Sequence, residues 1–263
     1  MDSSSIAALE KQCSGRLIGR KIHFRETVDS TNTLALKLAG EGAAEGELVL
    51  ADHQLSGRGR IPGRAWQSPP GRNIYFSVIL RPEFNPARAP SITIMAGVAV
   101  ARVLAEYCPG AVRLKWPNDV QVQGRKVAGI LTEMRVTGNR IDCIIIGIGI
   151  NILMTREEFD ESIRDGAISL REAATGQVIR EEVALKMFRS LEDWYIRYRD
   201  DGFPPIRKEW LSFSGIMGKY VEVINRKTRE AGTVIGIDEE GCLLLRDGGG
   251  GVNRIFAGDV LVP

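Results

Sequence analysis

The sequence predicts an α/β (α+β) fold followed by a small β-barrel of SH3-like size. Three observations predict it. Residues 22–107 alternate strand-like with helix-like segments, and IIIGI within 140–152 is a nearly unbroken apolar run, as in a strand covered on both faces. Beyond about residue 218 the chain breaks into about five short strands separated by turns.

In chain order, IHFRETV (22–28) reads as a strand and a helix follows from about Thr31, with Asp29 and Ser30 as N-cap residues. ELVLADH (47–53) is the next strand. The loop GRGRIPGRAWQSPPGR leads into the alternating strand NIYFSVIL (73–80). ITIMAGVAVARVLAEY (92–107) is a buried helix by length and alanine content, stopped by Cys108-Pro109-Gly110. VRLKW (112–116), KVAGILTEMRV (126–136) and RIDCIIIGIGINI (140–152) are strands, the last two joined at Thr137-Gly138-Asn139. In 181–200, Val183, Met187, Leu191, Trp194 and Tyr198 recur at helical spacing, which predicts a core-facing stripe. A boundary near Phe213 to Gly218 divides the chain into 1–214 and 215–263, and Gly248 to Gly251 form a turn between two barrel strands.

The 263 residues are 44% hydrophobic and 26% charged, an ordinary globular composition. A net charge of +2 implies neither nucleic acid nor membrane. Cys143 to Ile152, interrupted by two glycines, is too short to cross a bilayer, and the N-terminus lacks a basic segment followed by an apolar core. Cys13, Cys108, Cys143 and Cys242 are scattered, which argues against a disulfide framework or a zinc site and fits a cytoplasmic protein. With His23 and His53 as the two histidines, a histidine-rich metal centre or a Ser-His-Asp triad is poorly supplied.

Four constellations carry chemistry. Gly57-Arg58-Gly59-Arg60, with Gly63 and Arg64 close behind, offers backbone donors and permanent charge to an anion. Its arginines repel one another unless an anion sits between them; the bland reading is a solvated basic loop. No Gly-Lys-Ser/Thr follows, so this is not a P-loop. Lys115-Trp116-Pro117-Asn118-Asp119 is either a rigid Asx-type turn or an oxygen-ligand site for Mg²⁺. Lys126 enters an apolar strand, so it either sits at the wet end or faces an anionic ligand. Ser30-Thr31-Asn32 are polar groups at a helix start, and capping alone would explain them. Gly147-Ile148-Gly149 lacks the third glycine of a dinucleotide motif and reads as a strand that another group approaches closely. Together these supply cations, Mg²⁺ ligands and backbone donors, the inventory for joining a carboxylate to a nucleotide phosphate, and they lack one for hydrolysis.

ADHQLSGRGR, RAWQSPPGRNIYFSVIL, LKWPNDV, KVAGILTE and GIGINI, in this order, resemble the biotin protein ligases from about residue 24 to the C-terminus. The resemblance implies a mixed-sheet catalytic domain of the biotin/lipoate ligase type (1–214), then an SH3-like domain (215–263). It implies an enzyme that activates biotin with ATP and Mg²⁺ as biotinyl-5′-AMP. Biotin then passes to a lysine of a biotin carboxyl carrier protein. Carried over position by position, Ser30, Thr31 and Asn32 line the biotin pocket and Gln54 reaches the ureido ring. Arg58, Gly59 and Arg60 close over the biotin carboxylate and the adenylate, Lys126 contacts the activated carboxylate and phosphate, and Gly129 and Ile130 give backbone contacts to biotin. Trp66, Asn118, Asp119 and Asn151 resemble nucleotide-side positions, with Asp119 as the Mg²⁺ ligand, and Lys115 lies near the phosphates. Arg60, Lys126 and Lys115 are the expected catalytic groups; Arg58 and Arg60 also serve ATP.

Between Arg60 and Trp66 the chain holds one residue more than the commonest family spacing, with Pro62 inside it. The 29 residues before Ser30 are too few for a helix-turn-helix domain plus a strand, so the resemblance implies the ligase-only form. It also implies a monomer or homodimer that engages no nucleic acid and no membrane. A lipoate–protein ligase would share fold and chemistry, but the loop is Gly-Arg-Gly-Arg rather than serine- and glycine-rich. A nucleic-acid-binding module would need a contiguous basic surface, whereas Glu222, Glu230, Asp238, Glu239, Glu240 and Asp247 are spread through the barrel segment.

Overall fold

A computed structural model describes residues 1, 3–61, 63–225 and 228–262; Pro62, which carries the unusual loop spacing, lies outside them. The chain runs α1 (Ser3–Gln12), β1 (Ile22–Val28), α2 (Thr31–Gly40), β2 (Leu48–Gln54), β3 (Ile74–Leu80), α3 (Ala89–Tyr107), β4 (Val112–Lys115), β5 (Asp119–Val122), β6 (Arg125–Thr137) and β7 (Arg140–Ile150). Then come α4 (Leu170–Ala173), α5 (Arg180–Asp201), α6 (Pro204–Phe213), β8 (Tyr220–Ile224), β9 (Arg229–Ile237), β10 (Leu243–Arg246), β11 (Val252–Ile255) and β12 (Asp259–Leu261).

The first seven strands form one mixed sheet in the order β1-β2-β3-β7-β6-β5-β4, in which β1 and β2 are parallel and the other neighbours antiparallel. Helix α2 covers one face and α3 and α5 the other. The apolar run of β7 shows why: Cys143 and Ile145 pack with Ala35 and Ala39 of α2, while Ile144, Ile146, Ile148 and Ile150 join the large core that holds α3 and α5. Period-two alternation thus survives inside a run that reads as uniformly apolar. The stripe Val183, Met187, Leu191, Trp194 and Tyr198 is buried, as its spacing predicts.

Strands β8 to β12 form the SH3-like sheet, order β11-β10-β9-β8-β12. The turn at Gly248–Gly251 is held by the Asp247 carboxylate, which accepts from the N–H groups of Gly249 and Gly251 at 2.9 and 2.8 Å. The barrel does not stand apart. Val221, Val223, Val234 and Ile237 share the main core, and the Trp116 indole N–H donates to the Gly241 carbonyl at 2.9 Å.

Four readings of the sequence change. Strand β5 and helices α1 and α6 form where no element was expected. Strand β3 is buried at all seven positions, because helices cover both faces. Pro86–Tyr107 is a stretch long and apolar enough to cross a bilayer by length and composition, but here it is largely buried inside the fold. Ser30 stands at the N-cap of α2 without a side-chain cap bond.

Candidate active site

The site begins at the N-terminal end of α2. Along the α2 side of β7, Cys143 and Ile145 lie under the helix; the next two residues of the same phase are Gly147 and Gly149, beyond its first turn. Gly129 of β6 pairs with Gly149. These three glycines make a bare floor, and each is needed. A Cβ on Gly147 would stand 2.0 Å from Asn32 Oδ1, one on Gly149 2.5 Å from the Trp66 indole, and one on Gly129 2.9 Å from the same ring. The Gly147-Ile148-Gly149 reading as a strand closely approached by another group is therefore borne out.

The walls of the floor are polar and joined by hydrogen bonds. The Gln54 side-chain carbonyl accepts from the Thr31 backbone N–H at 2.9 Å and from Thr31 Oγ1 at 3.1 Å, so Gln54 satisfies a helix-start donor that Ser30 leaves open. Ser77 Oγ donates to Asn32 Oδ1 at 2.6 Å and lies 2.8 Å from Thr31 Oγ1, whose hydroxyl can donate to it. Asn32 Nδ2 donates to Glu133 Oε2 at 2.7 Å and to the Leu131 carbonyl at 3.1 Å. Gln54 Nε2 reaches Ser68 Oγ at 3.1 Å, and Ser68 in turn donates to the Trp66 carbonyl at 2.9 Å. Thr31 and Asn32 are 4% and 3% exposed, which a cap facing solvent would not be. They are pocket groups.

Residues 57–61 and 63–66 cross this floor as a two-stranded arm. Trp66 N–H donates to Gly57 O at 2.9 Å, Gly59 N–H to Arg64 O at 2.8 Å, and Arg58 bridges Ala65. The Trp66 ring lies on Gly129 and Gly149 and leaves about 50 Å³ of space between Ser30, Gln54 and Ile130, against roughly 300 Å³ or more for ligand pockets in general. The indole Nε1 is buried with no acceptor among the described residues.

The arm's arginines are not left to repel one another. Arg58 pairs with Glu133 at 3.2 Å; Arg60 with Asp259 of the barrel at 2.6 Å; and Arg64 with the same carboxylate at 3.3 Å. Arg60 Nη2 also donates to the Gly258 carbonyl at 2.9 Å and its Nε to Asn118 Oδ1 at 3.3 Å. The expectation that repulsion persists until an anion arrives is corrected: two carboxylates of the fold already supply the anions.

On the far side of the arm opens a larger cleft of about 690 Å³, lined by Arg60, Trp66, Asn118, Asp119, Lys126 and Asn151, by Phe159 to Ala167 in part, and by Asp259. Lys126 Nζ lies 2.6 Å from Asp119 Oδ1 and 5.3 Å from the Trp66 ring centroid, so its ammonium is balanced at the cleft wall rather than buried alone. Asn151 Nδ2 donates to the Lys126 carbonyl at 3.4 Å and fixes the start of β6. Gly59, Arg60, Trp66, Asn118 and Lys126 line both clefts. Behind the arm, burial pushes the Tyr75 phenol far above its ordinary range, so it stays a neutral donor to Pro69 O at 3.2 Å.

The structure thus brings Ser30, Thr31, Asn32, Gln54, Arg58, Gly59, Arg60, Gly129 and Ile130 to the first cleft, and Trp66, Asn118, Asp119, Lys126 and Asn151 to the second or to the junction. Lys115 stands apart. It pairs with Asp119 across the β4–β5 hairpin and lines neither cleft. Sequence reasoning missed Ser68, Ser77, Glu133 and Asp259. Glu133 had a readable signal, since it shares the strand phase of Gly129 on the strand that carries Lys126. Asp259, 199 residues from Arg60, had none.

A family profile described as the biotin/lipoate A/B protein ligase family matches residues 24–151. The bifunctional ligase/repressor BirA of Bacillus subtilis is 35% identical over 244 residues, covering 93% of this chain and 74% of that protein. The biotin–[acetyl-CoA-carboxylase] ligase of Mycobacterium tuberculosis is 32% identical over 263 residues, 96% and 94% of the two chains. Among solved structures, the biotin protein ligase of Aquifex aeolicus in complex with biotin and ATP superposes with a TM-score of 0.77 at 29% identity, covering 93% of this chain and 99% of that one.

Proposed function

The chain belongs to the biotin/lipoate A/B protein ligase family, and from that premise we propose that it activates biotin with ATP as biotinyl-5′-AMP and transfers biotin to a lysine of a biotin carboxyl carrier protein. One observation carries the reading: two clefts meet at Arg60 and Lys126, one floored by glycine and walled by amides and hydroxyls, the other open and lined by charged groups. A ureido ring has N–H donors and a carbonyl acceptor, and Thr31, Asn32, Gln54 and Ser77 are the groups to meet them. A dithiolane offers those groups neither a donor nor an acceptor, so the wall matches biotin better than lipoate.

The chemistry follows from the junction. A carboxylate oxygen of biotin attacks the α-phosphorus of ATP, the bond to the bridging oxygen breaks, and pyrophosphate leaves. Both reactants are anions, so Arg60 and Lys126 have to turn from Asp259 and Asp119 to the charge that develops between them. The neutral amine of the carrier lysine then attacks the biotinyl carbonyl carbon. The C–O bond to phosphate breaks, AMP leaves, and the amine's proton passes to solvent. The arm with Trp66 excludes water from the anhydride between the two steps.

Magnesium fits the donor set as an ion shared with phosphate, since the described residues form no cluster of three metal-binding side chains and Asp119, with the amide oxygens of Asn118 and Asn151, lines the same cleft. Asp119 would hold it, and when bound it supplies neutralisation of phosphate charge. The domain division we adopt is 1–214 for the catalytic unit and 215–263 for the SH3-like unit. The four buried free cysteines support a cytoplasmic location. Incubating the protein with labelled biotin or labelled lipoate and ATP-Mg²⁺ tests the reading: biotinyl-AMP should form and the lipoyl product should not.

A further inference from the structure

Glu133 closes the KVAGILTE segment but carries no ligand contact in the family resemblance, and its carboxylate is where the pocket wall and the arm meet. Oε2 accepts from Asn32 Nδ2 at 2.7 Å and from Arg58 Nη2 at 3.2 Å, while Oε1 stands 3.3 Å from the same Arg58 nitrogen. Arg58 Nη2 also donates to Thr33 Oγ1 at 3.2 Å. We propose that Glu133 is a positioning residue: it tethers the first strand of the arm to the biotin pocket through Arg58, and thereby holds the arm closed over biotinyl-AMP. The proposal rests on the ligase reading above and names the group that makes its lid work.

Three observations carry it. First, the carboxylate closes a continuous chain of hydrogen bonds running Arg58, Glu133, Asn32, Ser77, Thr31, Gln54 (through the Thr31 backbone N–H), Ser68 and the Trp66 carbonyl. That chain begins at one strand of the arm and ends at the other, passing through the groups that would meet the ureido ring. A ligand that orders Asn32 therefore also orders Glu133 and Arg58. Second, Asn32 is 3% exposed and both of its side-chain termini are used, so removal of Glu133 leaves a buried amide donor short of an acceptor. An ion pair between Arg58 and Glu133 alone, at 48% and 28% exposure, would be worth little; the shared buried amide is what gives the carboxylate leverage. Third, Glu133 neutralises Arg58. Arg58 then acts as a tether, while Arg60 and Lys126, each beside its own carboxylate, stand at the junction of the two clefts.

The test uses the full chain and the variants Glu133→Gln, Glu133→Ala and Glu133→Asp. Trypsin cleavage after Arg58 in the ligand-free protein should be faster in the Gln and Ala variants than in wild type, by about threefold to tenfold. That range is a charge-assisted hydrogen bond discounted for partial exposure. With biotin and ATP but no carrier, biotinyl-AMP should escape into solution faster by a similar factor. Glu133→Asp, which keeps the charge, should fall between wild type and Ala in both assays. Equal melting temperatures of wild type and the Gln variant separate the tether from a general loss of fold. Wild-type cleavage and wild-type escape in both the Gln and Ala variants would overturn the tether. A wild-type protein that makes no biotinyl-AMP would instead overturn the ligase reading, and the ligand-free trypsin comparison would still decide the tether.

Discussion

Lys126 and Arg60 each face a carboxylate of the fold, Asp119 at 2.6 Å and Asp259 at 2.6 Å. A cation already paired at the junction is held in place before substrate arrives, and exchanging one anion for another demands little reorganisation. Lys126→Ala and Arg60→Ala should therefore each slow biotinyl-AMP formation by about two orders of magnitude or more. Initial rates of pyrophosphate release at saturating biotin and ATP check this; near-wild-type rates in both variants would remove these residues from the chemistry. Gly147→Ala addresses the floor. Its Cβ would lie 2.0 Å from Asn32 Oδ1, so the amide must move, at a cost of about 1–3 kcal/mol in a packed site. Biotin binding by calorimetry should weaken sharply while ATP binding persists; unchanged biotin affinity would mean that Asn32 is not part of the pocket. Much of this residue-level picture was legible in the sequence, because Gly-Arg-Gly-Arg, the Lys126 strand and the Gly147/Gly149 pair each pose a local puzzle that a ligand solves. Glu133 left only its strand phase with Gly129 as a signal, and Asp259 left none, since it looks like an ordinary surface acid until the barrel brings it to Arg60.

At the scale of elements, the arm of residues 57–61 and 63–66 is the part that biotin has to shift. Its Trp66 ring lies over the glycine floor, its indole N–H has no acceptor among the described residues, and the space left is far below that of ligand pockets in general. Biotin should therefore displace the ring, and the protein's tryptophan emission should change in wild type but not in Trp66→Phe. An equal change in both would place the signal elsewhere among the four tryptophans. The barrel strands have their own acid-sensitive link. Burial pushes the Asp238 carboxyl up, but Arg254 and the N–H groups of Cys242 and Glu240 outweigh it and hold its pKa below the ordinary value. A depressed pKa stabilises the fold above the unfolded value, about 3.9, and that contribution fades as pH falls through the folded value. Asp238→Asn should thus lower the melting temperature at pH 7, and the gap to wild type should narrow at pH 3; a gap independent of pH would contradict the linkage. Alternation made most strands readable, including the five of the barrel. Strand β5 escaped because DVQV is four residues between two turns, too short to show a period. Helix α6 escaped although its two leading prolines are well placed at a first helical turn.

The whole molecule ties the barrel to the chemistry. Asp259 accepts from Arg60 and Arg64, the Gly258 carbonyl accepts from Arg60, and the barrel's Val221 and Val223 continue the main core. A cut near Gly215, which the sequence presents as a clean boundary, would bare that core and release the arm together. A point change separates the two effects. Asp259→Ala should leave the core intact and let trypsin cleave after Arg60 and Arg64 faster in the empty protein; wild-type cleavage would show that the barrel does not hold the arm. The central claim is that one site joins a carboxylate to a nucleotide and passes it to a lysine. Its most direct test mixes the purified chain with labelled biotin, ATP-Mg²⁺ and a biotin carboxyl carrier domain. Label should appear first in biotinyl-AMP and then in covalent linkage to one carrier lysine, and no transfer should occur without ATP. Absence of biotinyl-AMP, or labelled carrier formed without ATP, would contradict the account.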